Sequence, residues 1–210
     1  MNLIFPNFTY DPNDNNFPGF YKEIVEDKEY DRFDINVSEG DVVVDCGANV
    51  GIFTRYAIDI QKASQVYAFE MDPTCYSYLL DNTKHNSNIQ CFLGKVDFKQ
   101  QEEEWDIAKI LNENNIKIIN FLKIDIEGSE YKLLLTTPDY IFDQIEKIAI
   151  EVHFNIDNNF QPWNHINPES NLTFKLLEKL SKCGYNLKFE WIHKNHSLGM
   201  IYAKKCLNVI

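Results

Sequence analysis

Val42-Val43-Val44-Asp45-Cys46-Gly47-Ala48-Asn49-Val50-Gly51 reads as a buried strand, a tight turn and the start of a helix. Three β-branched residues in succession suit a central strand of a parallel sheet, which is covered on both faces. Gly47 and Gly51 let the backbone turn sharply and approach a ligand. A second apolar strand, Val66-Tyr67-Ala68-Phe69, ends on Glu70, nineteen residues beyond Gly51. That spacing fits one βαβ unit carrying an acid for ribose hydroxyls.

The glycines occur as Asp-x-Gly-x-x-x-Gly, which departs from the Gly-x-Gly-x-x-Gly of dinucleotide sites and disfavours NAD. A carboxylate at Asp45 would stand where a pyrophosphate needs bare backbone N–H groups. It suits a cation instead. S-adenosylmethionine carries an ammonium and a sulfonium, so Asp45 at the first strand end and Glu70 on the ribose complement its charge. The expected cofactor-binding set is Asp45, Gly47, Ala48, Asn49, Gly51, Glu70 and Met71, with Asp125 as a second contact at the methionine end.

A third apolar strand, Phe121-Leu122-Lys123-Ile124, runs into Asp125-Ile126-Glu127-Gly128-Ser129-Glu130 before a helix, and a fourth, Ile145 to Val152, ends on Glu151 and His153. Taken together, Asp45 to Gly51, Phe69-Glu-Met-Asp-Pro73, Leu122 to Glu130 and Ile150-Glu-Val-His153 resemble the signature set of FkbM-type S-adenosylmethionine-dependent methyltransferases. The resemblance runs from about Glu23 to the C-terminus. It implies a class I methyltransferase fold and an O-methyltransferase acting on hydroxyls of sugars, glycans or related small metabolites. N-methylation, or a catalytically inactive methyltransferase-fold binding or scaffold protein, remain the alternatives.

The alternation of strands and helices predicts an α/β, doubly wound, mostly parallel, Rossmann-like sheet. It closes on an antiparallel hairpin of Tyr185 to Trp191 and Gly199 to Ala203. Residues 1–22, dotted with Pro6, Pro12 and Pro18, read as an irregular leader or lid before a methyltransferase domain over 23–210. With 210 residues, 44% hydrophobic and 14% aromatic, the chain can bury a core without disulfides. Five cysteines without a paired spacing read as reduced thiols of a cytoplasmic protein. No signal peptide or membrane span is read from the sequence. The net charge of −12 disfavours a nucleic-acid partner, because phosphate tracking draws on clustered Lys and Arg.

Chemistry belongs at the carboxyl ends of the parallel strands. If strand geometry continues that far, Asp125 and Glu127 share one face, as do Glu151 and His153. On neighbouring strands about 4.8 Å apart the four would crowd one spot. His153 is the expected base, since its unperturbed pKa lies near neutrality, with Glu151 or Asp125 orienting it or the acceptor. The cluster also offers ligands for a divalent metal, which is possible but not expected, because no compact ligand spacing accompanies it. Trp163 and His165, with Trp191 as a second aromatic face, are the expected acceptor contacts, stacking on a sugar and bonding its hydroxyls.

Overall fold

The computed structural model describes residues 4–97, 104–153, 172–192 and 198–206. Seven strands form one sheet in the order β3-β2-β1-β4-β5-β7-β6: β1 Val42–Cys46, β2 Gln65–Glu70, β3 Ile89–Leu93, β4 Ile119–Ile124, β5 Ile145–His153, β6 Tyr185–Trp191 and β7 Leu198–Lys205. The first five are parallel, and β7 inserts antiparallel between β5 and β6. The Val42-Val43-Val44 run is thus an inner strand, paired in parallel with β2 on one side and β4 on the other.

Helices cover both faces, so the strands read as nearly continuous apolar runs. Val44, Leu122, Ile148 and Ile150 meet α4 (Ile107–Glu113), α5 (Glu130–Thr136) and α6 (Leu172–Lys182). On the other face Val43, Phe121 and Ala149 meet Phe53 of α2 (Ile52–Arg55) and Tyr30. Between β2 and β3 lies α3 (Pro73–Thr83), whose start is fixed by its sequence. Asp72 caps it, accepting from the N–H groups of Thr74 at 2.9 Å and Cys75 at 2.8 Å, and Pro73 occupies the first turn, where no N–H is needed.

The expected division at residue 22 falls inside a continuous helical stretch, α1 (Phe17–Tyr21) running directly into a π-helical turn over Lys22–Glu26. The segment before it is packed onto the domain. Phe5, Phe8, Phe17 and Tyr21 form a buried cluster with Val50, Ile52 and Tyr56. Asn82 of α3 clamps Thr9 from both sides, accepting from its N–H at 2.7 Å and donating to its carbonyl at 2.8 Å. No helix among the described residues is long and apolar enough to cross a membrane.

Candidate active site

The carboxyl ends of β1, β2, β4 and β5 meet where the strand order reverses between β1 and β4, the usual place for a ligand in an open α/β sheet. Two adjoining cavities of ≈ 150 and ≈ 280 Å³ lie there and share Gly47, Asn49, Asp125 and Glu127 as walls. Gly47 has φ +82°, and a Cβ on it would sit 1.7 Å from the carbonyl oxygen of Asp125. Only glycine lets the turn after β1 lie against the end of β4. The N–H groups of Gly47 and Ala48 both donate to the Phe69 carbonyl at 2.9 Å, fixing the turn to the end of β2.

Glu70 closes this construction. Its Oε2 accepts from the N–H of Asn49 and its Oε1 from the N–H of Asp72, each at 2.7 Å, so the carboxylate bridges the turns after β1 and β2. Each oxygen keeps a second lone pair. The smaller cavity beside it is lined by Phe69, Val96 and Ile126, with the exposed Met71 at its rim. An apolar slot with an acceptor carboxylate at its edge fits a nucleoside, base in the slot and ribose hydroxyls on Glu70. Ala48 and Asn49 line the larger cavity, while Gly51, at φ +92°, turns the chain into α2.

Asp45 has a different place from the one expected of a cofactor contact. It is fully buried behind the glycine turn and walls neither cavity, because on β1 it stands directly opposite Lys123 of β4. Its Oδ2 accepts from the Thr54 hydroxyl at 2.6 Å, and its Oδ1 lies 3.3 Å from the Lys123 ammonium, at ion-pair distance without a well-directed hydrogen bond. Lys123 in turn donates to the Gly47 carbonyl at 2.6 Å and lies 3.6 Å from Asp125. Burial works against that ammonium, but Asp45 and Asp125 outweigh it and hold its pKa above the ordinary value. The acid of the motif therefore supports the turn from behind.

In the larger cavity Asp125, Glu127, Glu151 and His153 do come together, though not by strand alternation. β4 ends at Ile124, and Glu127 reaches the cavity because its backbone is left-handed, φ +53°. His153 Nδ1 lies 3.1 Å from Oε1 of the fully buried Glu130, which also accepts from the N–H groups of Ile126 and Gly128. His153 Nε2 faces Glu127 at 3.3 Å and Glu151 at 3.9 Å. Burial would lower the imidazole pKa, but the bond and charge of Glu130, then Glu151 and Asp125, outweigh it and raise it to about 9. Glu151 is pushed up to about 8, chiefly by burial, then by the charges of Asp125 and Glu29. The Tyr30 hydroxyl stands 3.3 Å from a carboxylate oxygen of both Asp125 and Glu151.

Residues 97–187 match the methyltransferase FkbM domain, and residues 20–132 match the TRM5/TYW2 methyltransferase domain. Methyltransferase 1 of Beauveria bassiana is 27% identical over 180 residues, covering 63% of this chain and 72% of that protein. The 31-O-demethyl-FK506 methyltransferase FkbM of Streptomyces tacrolimicus is 23% identical over 190 residues, covering 63% and 73%. The chain belongs to the S-adenosylmethionine-dependent methyltransferases, and over residues 97–187 it is similar to their FkbM type. Its fold is that of class I methyltransferases: fibrillarin of Aeropyrum pernix, solved with bound S-adenosyl-L-methionine, superposes with a TM-score of 0.59 at 15% identity, covering 87% of this chain and 75% of that one.

In this methyltransferase Trp163 and His165 lie outside the described residues. Trp191 ends the edge strand β6, 41% exposed, and walls a neighbouring hollow, not the cavity that holds the four ionisable groups. Asp125, Glu127 and His153 bring one ligand atom each within 4.8 Å of one another, a donor set a divalent ion would accept. Four neighbours of the cluster were not anticipated: Tyr30, Glu29, Lys123 and Glu130. Lys123 and Glu130 stand inside the Leu122–Glu130 motif, so a polar residue within an otherwise apolar strand was the available signal for Lys123. Tyr30 and Glu29 precede the first strand and carry none.

Proposed function

We propose that this methyltransferase acts on a hydroxyl of a sugar, glycan or similar small metabolite, with S-adenosylmethionine lying along the two cavities and Glu151 as the base. When bound, the cofactor supplies a methyl group activated by its sulfonium. Gly47 and Asn49 would take its backbone-facing side, Glu70 its ribose, and Asp125 its methionine end. The cavity acids Asp125 and Glu127 complement a cation.

The observation that carries the assignment of the base is the setting of Glu151. Its carboxyl is buried, shares the Tyr30 hydroxyl with Asp125 and has a raised pKa, which makes it a stronger base than an ordinary carboxylate. His153, held between Glu130 and Glu127, stays an imidazolium at neutral pH and keeps the carboxylates around it oriented. The name of the Streptomyces relative, which puts the missing methyl on an oxygen, supports a hydroxyl acceptor. An RNA acceptor is the second reading, favoured by the TRM5/TYW2 match. A net charge of −12 and an acidic cavity weigh against it, since phosphates would sit among carboxylates.

Labelled methyl transfer from S-adenosylmethionine to a panel of monosaccharides and to bulk tRNA tests this reading. Label should appear in an O-methyl sugar. Label in RNA, or only on nitrogen, would overturn it. We also propose that the reaction needs no metal: enzyme stripped with EDTA should keep its turnover, and a loss restored by Mg²⁺ or Mn²⁺ would instead assign Asp125, Glu127 and His153 to an ion.

A further inference from the structure

Beside the larger cavity lies a hollow of ≈ 270 Å³, and the two share Glu23, Glu29 and Ile192 as walls. Glu29 stands at this junction. Its backbone is held on both sides, its N–H donating to the Glu23 carbonyl at 3.0 Å and its carbonyl accepting from the Tyr202 hydroxyl at 2.8 Å. Its side chain is treated differently. The residue is only 8% exposed, yet among the described residues its carboxyl has no hydrogen-bond or ion-pair partner.

The residue is almost wholly enclosed by protein, and its carboxyl opens onto the two cavities as an acceptor that no protein donor among the described residues takes up. The groups around it explain what is missing. The hollow is also walled by Asp27 and Glu190, while its one guanidinium, Arg32, is already engaged by Glu190 at 3.1 Å. Lys123, across the cavity, is committed to Asp45 and Gly47. Burial raises the Glu29 pKa to about 7, and the charges of Glu23 and Asp125 add to this. Anionic ligand groups are repelled here, and a donor with positive charge would supply both the hydrogen bond and the counter-charge.

We infer that the hollow is a second acceptor subsite and that Glu29 receives a protonated amino group of the acceptor, so that the substrate is a hydroxylated compound carrying a basic amine. This rests on the proposal that methyl transfer takes place in the adjoining cavity. Trp191, Ile192 and Tyr202 offer the apolar wall against which the carbon frame of such a compound would lie.

The test uses D-glucosamine, N-acetyl-D-glucosamine and D-glucose as probes, titrated by NMR into the full chain saturated with S-adenosylhomocysteine. Glucosamine should bind roughly tenfold or more tightly than the two neutral sugars, as expected for one charge-assisted bond, and should shift the Trp191 indole resonance. Glu29→Gln should erase that preference while leaving the affinity for S-adenosylhomocysteine unchanged. Absence of glucosamine binding, or equal affinity for all three sugars, would overturn the inference. So would a Glu29→Gln variant that loses the cofactor product, which would give Glu29 to the cofactor. Turnover separates the two proposals: glucosamine bound through Glu29 without O-methylation of any sugar contradicts the acceptor reading and leaves Glu29 as an amine-binding group only.

Discussion

Glu151→Gln is expected to lower kcat by roughly 10²–10⁴-fold, the usual contribution of a positioned base. The amide keeps the size of the side chain and its contact with Tyr30, so cofactor affinity should change little. The pH profile makes the assignment specific. Glu151 has its pKa raised to about 8 by burial and by the charges of Asp125 and Glu29, against the opposing charges of His153 and Lys123. The base form is the carboxylate, so wild-type kcat/KM should rise with pH, about tenfold per unit, and level off above about 8. Glu151→Gln should remove the rise along with the rate. A variant of near wild-type rate, or one that keeps the wild-type pH slope, would return the proton to another group in the cavity.

Lys123→Met is expected to destabilise the fold by about 3–5 kcal/mol, because it leaves Asp45 as a buried charge without its counter-ion. For a domain of this size that corresponds to a fall in Tm of about 6–20 °C. Lys123 is 3% exposed and touches the Asp45 carboxylate and the Gly47 carbonyl, so the cost extends to the turn that would carry the cofactor. A second substitution, Asp45→Asn, removes the stranded charge. The double variant should therefore be more stable than Lys123→Met alone, a non-additivity read by denaturant unfolding. A loss below about 1 kcal/mol in the single variant would show that Asp45 does not depend on this partner.

The parts of the fold governed by local pattern were open to reading. The Val42–Val44 run, the strand ending on Glu70 and the closing strands at Tyr185 and Gly199 all carry the periodicity and glycine placement of their elements, and they occupy those places. Residues whose roles come from strand register were not. Asp45 and Lys123 are far apart in the chain and meet only because β1 and β4 pair in the register that sets them side by side. From the glycine motif alone Asp45 therefore looked like a ligand contact.

The candidate cluster was legible as a set of residues and not as an arrangement. Asp125 and Glu127 reach the same cavity through a left-handed turn after β4, where strand alternation no longer applies. His153 looked like a neutral base because Glu130, which holds its Nδ1, sits in another element at the start of α5. Tyr30 and Glu29 lie in an irregular stretch before the first strand, where neither periodicity nor motif marks a residue for the site.

The cofactor seat is the claim on which the rest depends, and calorimetric titration with S-adenosylmethionine and S-adenosylhomocysteine, using NAD as control, tests it most directly. Wild-type protein should bind both sulfur ligands and not NAD. Glu70→Gln should weaken both by roughly 10–150-fold, the range for losing a charge-assisted bond to the ribose. Failure of the wild-type protein to bind either sulfur ligand, or equal binding by the Glu70→Gln variant, would contradict a cofactor seated between Glu70 and the glycine turn.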